Sequence, residues 1–539
     1  MSLTRRDILA QFLGAPLALA ACRREPPRVD ASFAGASADS GHRSRQPQPI
    51  PSVPPERVVR KRVVIVGGGP SGLSAAWAMR RAGFKDVVVL EAEPRPGGTS
   101  ASGRSDVTAY PFGAHYLPVP DRTNPALLSL LDEMGALDGV DEHGLPRGAE
   151  HMLVREPDER LFMHGYWHQG LLPRAGMSAD DARQIGAFQQ EVHRLSQLTD
   201  GRGRRAFSLP LRFSSDDAEL TALDRISMAQ WMDQHGFTSK RLRWMVEYAC
   251  RDDHGTLLPD TSAWVALFYF CARHRPETGE SAPFLTWPEG NGRLVTHLAK
   301  PLGAALQLNT VVLDVAPTES GVEITALDAQ GPVKYVAERV VAAVPKPFLR
   351  HVVKPWRENP PSHLQAFRYG SWLTANLHLR SRPVTRGFEV AWDNVIYDSP
   401  SLGYIVATHQ RGPDLGPTVW TWYLPVTDPD VIKARKWLLA LSAQEAADVA
   451  LQDLGRAHAD LVERVERVEV FRHGHAMVRP DVGFMWGADR RKAQEPLGRI
   501  HFAHCDLSGL PLFEEAFDQG IRAAEEVMAA LQIPFATLR

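Results

Sequence analysis

Four cysteines in 539 residues (Cys22, Cys250, Cys271 and Cys505) are too few and too scattered for a disulfide framework. Charge of one sign is missing as well. Lys and Arg number 61 against 63 Asp and Glu, a net −2, so nothing in the balance calls for a nucleic-acid partner. Cysteine, histidine and acidic residues show no zinc-type spacing, so no metal centre is expected. The apolar run Ile8 to Ala21 is only 14 residues long and contains Gly14 and Pro16, too short for a comfortable membrane span. What remains is ordinary globular composition, 44% hydrophobic and 23% charged, with ample material for a core.

That short run is better read as export machinery. Arg5-Arg6, the apolar stretch and Leu19-Ala20-Ala21-Cys22 resemble a twin-arginine signal ending in a lipobox. The implied product is exported folded, loses residues 1–21 and is anchored to a bacterial membrane through lipidated Cys22, facing the periplasm. Residues 23–58 are rich in Pro, Ser and Arg with almost no apolar periodicity. The expectation there is a disordered tether with no structure of its own.

The rest of the chain is organised around residues 63–98. Val63-Val64-Ile65-Val66 reads as a strand buried on both faces. Gly67, Gly69 and Gly72 follow in G-x-G-x-x-G spacing, with Pro70 and Ser71 opening a helix of small residues. Alone, such a glycine pattern is weak. Here a strand precedes it, a helix follows, and a second strand Val87–Leu90 ends in Glu91, 19 residues past Gly72. The first glycine permits the turn, the second admits a pyrophosphate and the third lets helix and strand pack closely. The acid meets a ribose hydroxyl.

Beyond Glu91 the chain reads Ala92-Glu93-Pro94-Arg95-Pro96-Gly97-Gly98-Thr99. This resembles the R-x-G-G segment of the FAD-dependent amine oxidase and phytoene desaturase superfamily, which implies FAD rather than NAD. The resemblance returns at Trp287–Leu298, at Leu306–Val315 (where Val312 would pair with the adenine edge), at Arg339–Pro345, and at the closing Gly498–Ala524. In that last block Asp506 matches the acid near the ribityl–pyrophosphate junction. A helix beginning near Leu512 and Phe513 would point its N-terminus at the flavin. Gly113-Ala114-His115 resembles the stretch near the isoalloxazine ring. His115 is either a flavin or substrate contact or a hydrogen-bonded structural histidine.

The expected fold is α/β: a discontinuous Rossmann-like FAD domain over 59–120, 285–350 and 481–535. A substrate region is inserted as a mostly helical part, 121–284, and a sheet-rich part, 351–480. Alternation at 372–379, 390–397, 404–409 and 418–425 predicts the strands of that sheet, with Trp392 and Tyr423 chosen to face the flavin. Arg251-Asp252-Asp253-His254-Gly255 reads as a capped helix start, or else Asp253 and His254 reach a pocket.

The resemblance implies an oxidoreductase that moves hydride from a carbon beside an amine nitrogen to flavin N5, with oxygen or another acceptor closing the cycle. Two family features lack a counterpart. The residue before the closing helix is Leu512 where an aromatic is usual, and no lysine matches the one near N5. The alternatives are therefore a desaturase- or isomerase-like enzyme on an apolar substrate, or a non-catalytic flavin-fold scaffold.

Overall fold

The computed structural model describes residues 29–45, 49–275, 277–412 and 415–539. The export signal and Cys22 lie outside the described residues. Among those that are described, no helix is long and apolar enough to cross a membrane.

In chain order, the elements that position the site begin with β1 (Asp30–Phe33), α1 (Ala38–Arg43), β2 (Val58–Val66), α2 (Pro70–Arg81) and β3 (Val87–Leu90). The first inserted part supplies β4 (Glu159–Met163), β5 (Tyr166–Gln169), α3 (Lys240–His254) and α4 (Ala263–Cys271). The chain returns as β6 (Leu306–Gln307), β7 (Val311–Pro317), β8 (Val322–Asp328), β9 (Gly331–Ala342) and α5 (Lys346–Val352). The second inserted part gives β10 (Tyr369–Leu379), β11 (Asp393–Ile396), β12 (Tyr404–Val406), β13 (Thr418–Val426) and β14 (Val465–Val478). The chain closes with β15 (Ile500–Phe502) and α6 (Phe513–Ala530).

A seven-stranded sheet runs β6-β3-β2-β9-β8-β7, with β15 on β9. β2, β3, β6 and the end of β9 are parallel, as are β9 and β15, while β7 to β9 form an antiparallel meander. Val63, Val64 and Ile65 are fully buried because α2 and α6 cover one face of the sheet and the meander's own apolar residues fill the other. On α6 Phe513, Phe517, Ile521, Ala524 and Met528 are all buried, as their helical spacing predicts.

A second sheet of eight strands runs β1-β14-β10-β13-β12-β11-β4-β5. The sheet expected from residues 351–480 is therefore present, and it recruits β4 and β5 from the part expected to be mostly helical. α4 is an apolar helix, buried over residues 263–268 and at Cys271.

Three expectations change. The tether over 23–58 is structured in its middle: Asp30–Phe33 pair with Arg467–Val470, because the open edge of β14 offers the backbone partners the segment lacks in itself. The run 306–315 breaks into two strands at Asn309, whose φ of +52° turns the chain. Asp253 and His254 end a helix rather than start one: α3 stops at Gly255, left-handed at φ +64°, whose N–H caps Arg251 O.

Candidate functional site

The cofactor cradle is made of backbone. Gly67 has φ +105°, and a Cβ there would lie 2.5 Å from Ala343 O. At Gly72 a Cβ would lie 1.9 Å from Gly67 O, so helix and turn touch only because this residue is glycine. At Gly69, the N-cap of α2, the space is open, which leaves the helix N-terminus accessible. Ser71 Oγ is buried with no hydrogen-bond partner among the described residues. Glu91 accepts from Gly68 N at 2.8 Å and from Glu93 N at 2.9 Å, while burial pushes its carboxyl above the ordinary range. Gly97 (φ +121°) donates to Gly68 O, so the Gly97-Gly98-Thr99 turn is tied directly to the glycine loop. Ala92 is half-buried beside Glu91, and the exposed Arg95 guanidinium lies 6.0 Å from the Phe112 ring.

Val312 is buried in β7 next to a bulge. Asp506 is buried just past β15, the strand that pairs with the end of β9. It accepts from Tyr369 Oη and from Lys346 N, and it pairs with His504 Nδ1 at 2.7 Å. Burial opposes its ionisation, yet His504 and these donors hold its carboxyl below the ordinary range. Open space at Gly69, an orphaned hydroxyl at Ser71 and two braced carboxylates, Glu91 and Asp506, fit a dinucleotide stretched from ribose to ribityl chain.

Three of the four expected catalytic side chains converge. The His115 ring lies 5.4 Å from Trp392, 5.1 Å from Tyr423 and 5.1 Å from Tyr116. Burial brings the imidazole down to about 4, so it is neutral at pH 7. Tyr423 Oη donates to Gly113 O at 2.8 Å, which fixes the ring against the Gly-Ala-His segment. Leu512 caps α6 and packs against the helical cluster with Met485 and Leu510; Phe513 packs beside Phe517 under α2.

Around this aromatic wall stand acids that sequence reading did not assign. Glu159 on β4 and Asp393 on β11 are register partners on adjacent parallel strands. Asp252, from the last turn of α3, raises the carboxyls of both. Glu159 is pushed up to about 7 by burial and then by its acidic neighbours, Asp252 to about 7 by burial and then Asp253, and Asp393 well above its ordinary value by burial and then Glu159. All three keep some accessible surface, although burial is the first cause of each shift. Among the described residues none of the three makes an ion pair. Their neighbours are hydroxyls: Tyr248 Oη at 3.4 Å from Asp393 and Tyr269 Oη at 3.4 Å from Asp252.

The nearby cation, Arg273, is already taken. It pairs with Asp253 at 2.8 Å and lies over the Tyr116 and Tyr269 rings. Arg273 and Glu514 also line a cleft of about 160 Å³ together with Arg205, Arg275 and Asp121. The acids were missed because they come from three segments far apart in sequence, and nothing local marks Glu159, Asp252 and Asp393 as neighbours.

Residues 70–528 match the family model for flavin containing amine oxidoreductases. An L-amino acid dehydrogenase from Synechocystis is 24% identical over 502 residues, covering 87% of this chain and 94% of that protein. A putrescine oxidase from Kocuria rosea is 41% identical over 102 residues, 18% of this chain and 20% of its own. Among solved structures, a putrescine oxidase bound to putrescine shares the fold at a TM-score of 0.64 and 20% identity, covering 88% of this chain and all of its own. A fatty acid isomerase from P. acnes shares it at 0.59 and 15%, covering 87% and 98%. By its matched length and its glycine cradle, the chain belongs to the flavin containing amine oxidoreductases and is an FAD-dependent oxidoreductase.

Proposed function

We propose that the enzyme oxidises an amine that carries a second cationic group, such as a diamine. The observation that carries this reading is the set Glu159, Asp252 and Asp393 beside the His115–Trp392–Tyr423 wall, three acids that make no ion pair among the described residues and whose carboxyls stay raised although Arg273 and Arg251 partly offset the charge of Asp252. Buried like charges repel one another and are costly to ionise, and a cation placed among them reverses both effects. An apolar substrate leaves that cost in place, which argues against the desaturase- or isomerase-like alternative. The putrescine oxidase relatives support the same choice.

Held by the Gly67–Gly72 turn, Glu91 and Asp506, FAD would supply the two-electron acceptor for hydride from the carbon beside the amine nitrogen. The chain's own part is orientation and exclusion of water. Trp392, Tyr116 and Tyr423 offer ring faces to the substrate, and neutral His115 adds no charge to repel it. The carboxylates hold the far cation, so the near nitrogen reacts as its neutral amine. The imine product takes up water and releases ammonia to give an aldehyde, and oxygen or another acceptor would take up the two electrons. Anaerobic titration of the yellow holoprotein tests this. 1,4-Diaminobutane is expected to bleach the flavin absorbance at far lower concentration than butylamine, and fatty acids to leave it unchanged. Bleaching by fatty acids and not by amines refutes the reading.

Twin-arginine export and lipid anchoring through Cys22 belong to the same proposal and rest on residues 1–22 alone. Palmitate labelling of the wild type but not of Cys22→Ala tests them.

A further inference from the structure

Residues 29–45 do more than extend a sheet. Phe33 on β1 lies 3.8 Å from the Arg472 guanidinium. The chain then crosses Phe471 so closely that a Cβ on Gly35 (φ +81°) would sit 2.4 Å from its ring. Two residues on, Ser37 N donates to both Glu93 carboxylate oxygens, at 3.2 and 3.3 Å. Glu93 stands next to the ribose end of the cradle, since its own N–H caps Glu91. α1 follows, packed on β7, the strand of Val312. Beyond it Arg45 reaches His475 Nε2 at 3.3 Å. The His475 ring meets Tyr369 edge-on at 5.9 Å, and the Tyr369 hydroxyl donates to Asp506. The segment is therefore tied to Glu93, next to Glu91, and through His475 and Tyr369 to Asp506.

Its far end gathers positive charge. Burial and then Arg350 depress Arg45; burial and then Arg45 depress Arg435. His475 is brought down to about 4 by burial first and then by Arg435, Arg45 and His42. Cations drawn together in this way are stabilised by an anion among them.

We propose that residues 29–45 form a strap over the bound dinucleotide and that Arg45 completes the site for its pyrophosphate. The inference rests on FAD being the cofactor. The strap slows release of FAD and holds it through export in the folded state.

The test uses full-length, flavin-loaded protein and reads release directly, as the rise of free-flavin fluorescence after dilution. Arg45→Ala is expected to release FAD at least tenfold faster than wild type, and Arg45→Lys to recover most of that loss. In the wild type, bound FAD is expected to protect the bonds after Arg43 and Arg45 from trypsin, with cleavage in the apoprotein. Release equal in Arg45→Ala and wild type, with trypsin cutting holo- and apoprotein alike, overturns the strap and leaves FAD binding standing. A preparation that takes up no FAD overturns both.

Discussion

Asp252→Asn, measured across pH 6 to 8, puts the role of the three acids to its hardest test. The Asp252 carboxyl sits at about 7 because burial and then Asp253 oppose its charge. It is therefore about one-tenth ionised at pH 6 and about nine-tenths at pH 8. If a far cation needs this carboxylate, diamine affinity should rise about tenfold over that range, and further where Glu159 titrates with it. The reacting nitrogen must be neutral in every amine, so the ratio of diamine to monoamine affinity cancels that effect and isolates the acid. In Asp252→Asn the ratio should flatten with pH, and at pH 8 diamine binding should weaken by about 10- to 100-fold, the loss of one charge-assisted hydrogen bond of about 1.5–3 kcal/mol.

Stability should move the other way. An acid whose folded-state value is raised keeps its proton between about 4 and 7 while the unfolded chain has lost it. The ligand-free fold therefore weakens as pH climbs through that window and levels off above it. Asp252→Asn removes this penalty, so the variant should melt above wild type at pH 8 and close to it at pH 5. A diamine-to-monoamine ratio that stays flat from pH 6 to 8 in the wild type, or an unchanged ratio in the variant, refutes the reasoning.

Further tests concern the cradle and its supports. Gly72→Ala forces a Cβ to 1.9 Å from Gly67 O, so the purified protein should emerge without flavin, read as the ratio of visible to ultraviolet absorbance. Glu91→Ala leaves the N–H groups of Gly68 and Glu93 without their acceptor and should weaken FAD binding by at least tenfold in equilibrium dialysis. Tyr423→Phe loses one hydrogen bond to Gly113 O, worth about 1 kcal/mol, and should lower kcat by less than tenfold with KM for the far cation unchanged. The His504 imidazole, despite burial, is held well above its ordinary value by Asp506, so this pair stabilises the fold at neutral pH and the contribution fades as pH rises through the folded value. His504→Gln should therefore destabilise the protein most near pH 6 to 7, seen as a lowered melting temperature that converges on wild type at alkaline pH.

The cradle was legible because its chemistry is written in adjacent residues. Gly67, Gly69, Gly72 and Glu91 lie within one strand–helix–strand unit, and their roles follow from backbone geometry that a short window of sequence specifies. Trp392 and Tyr423 were identifiable as aromatic candidates on alternating strands, and the structure brings both to His115. β1 was not legible: four residues without apolar rhythm become a strand only because β14, more than four hundred residues later, offers an open edge. Asp253 and His254 were misplaced on their helix because a polar cluster before a glycine resembles a cap at either end. The deciding fact, a left-handed Gly255, belongs to the folded backbone.

The three acids were the least legible part. Glu159 and Asp393 are 234 positions apart and become neighbours only through the parallel register of β4 on β11, in which Asp393 faces Glu159 and Val395 faces Leu161. Side chains alternate along a strand, so a slip of one residue would turn one of the two acids to the opposite face. The register is held nearby by Arg160, a fully buried guanidinium on β4. It donates to Asn394 on β11 at 2.5 Å and to Tyr404 on β12 at 2.9 Å, and it stacks on Trp167 at 3.8 Å. A buried cation with its donors satisfied tolerates no slip, because moving it one position strands its charge. Arg160 is thus a positioning residue for the acids on either side of it. Arg160→Met keeps the volume and loses the register lock. It should reduce the pH dependence of the diamine-to-monoamine ratio to the part that Asp252 on α3 carries, while leaving FAD content intact, and an unreduced dependence would show that Glu159 and Asp393 are placed by something else.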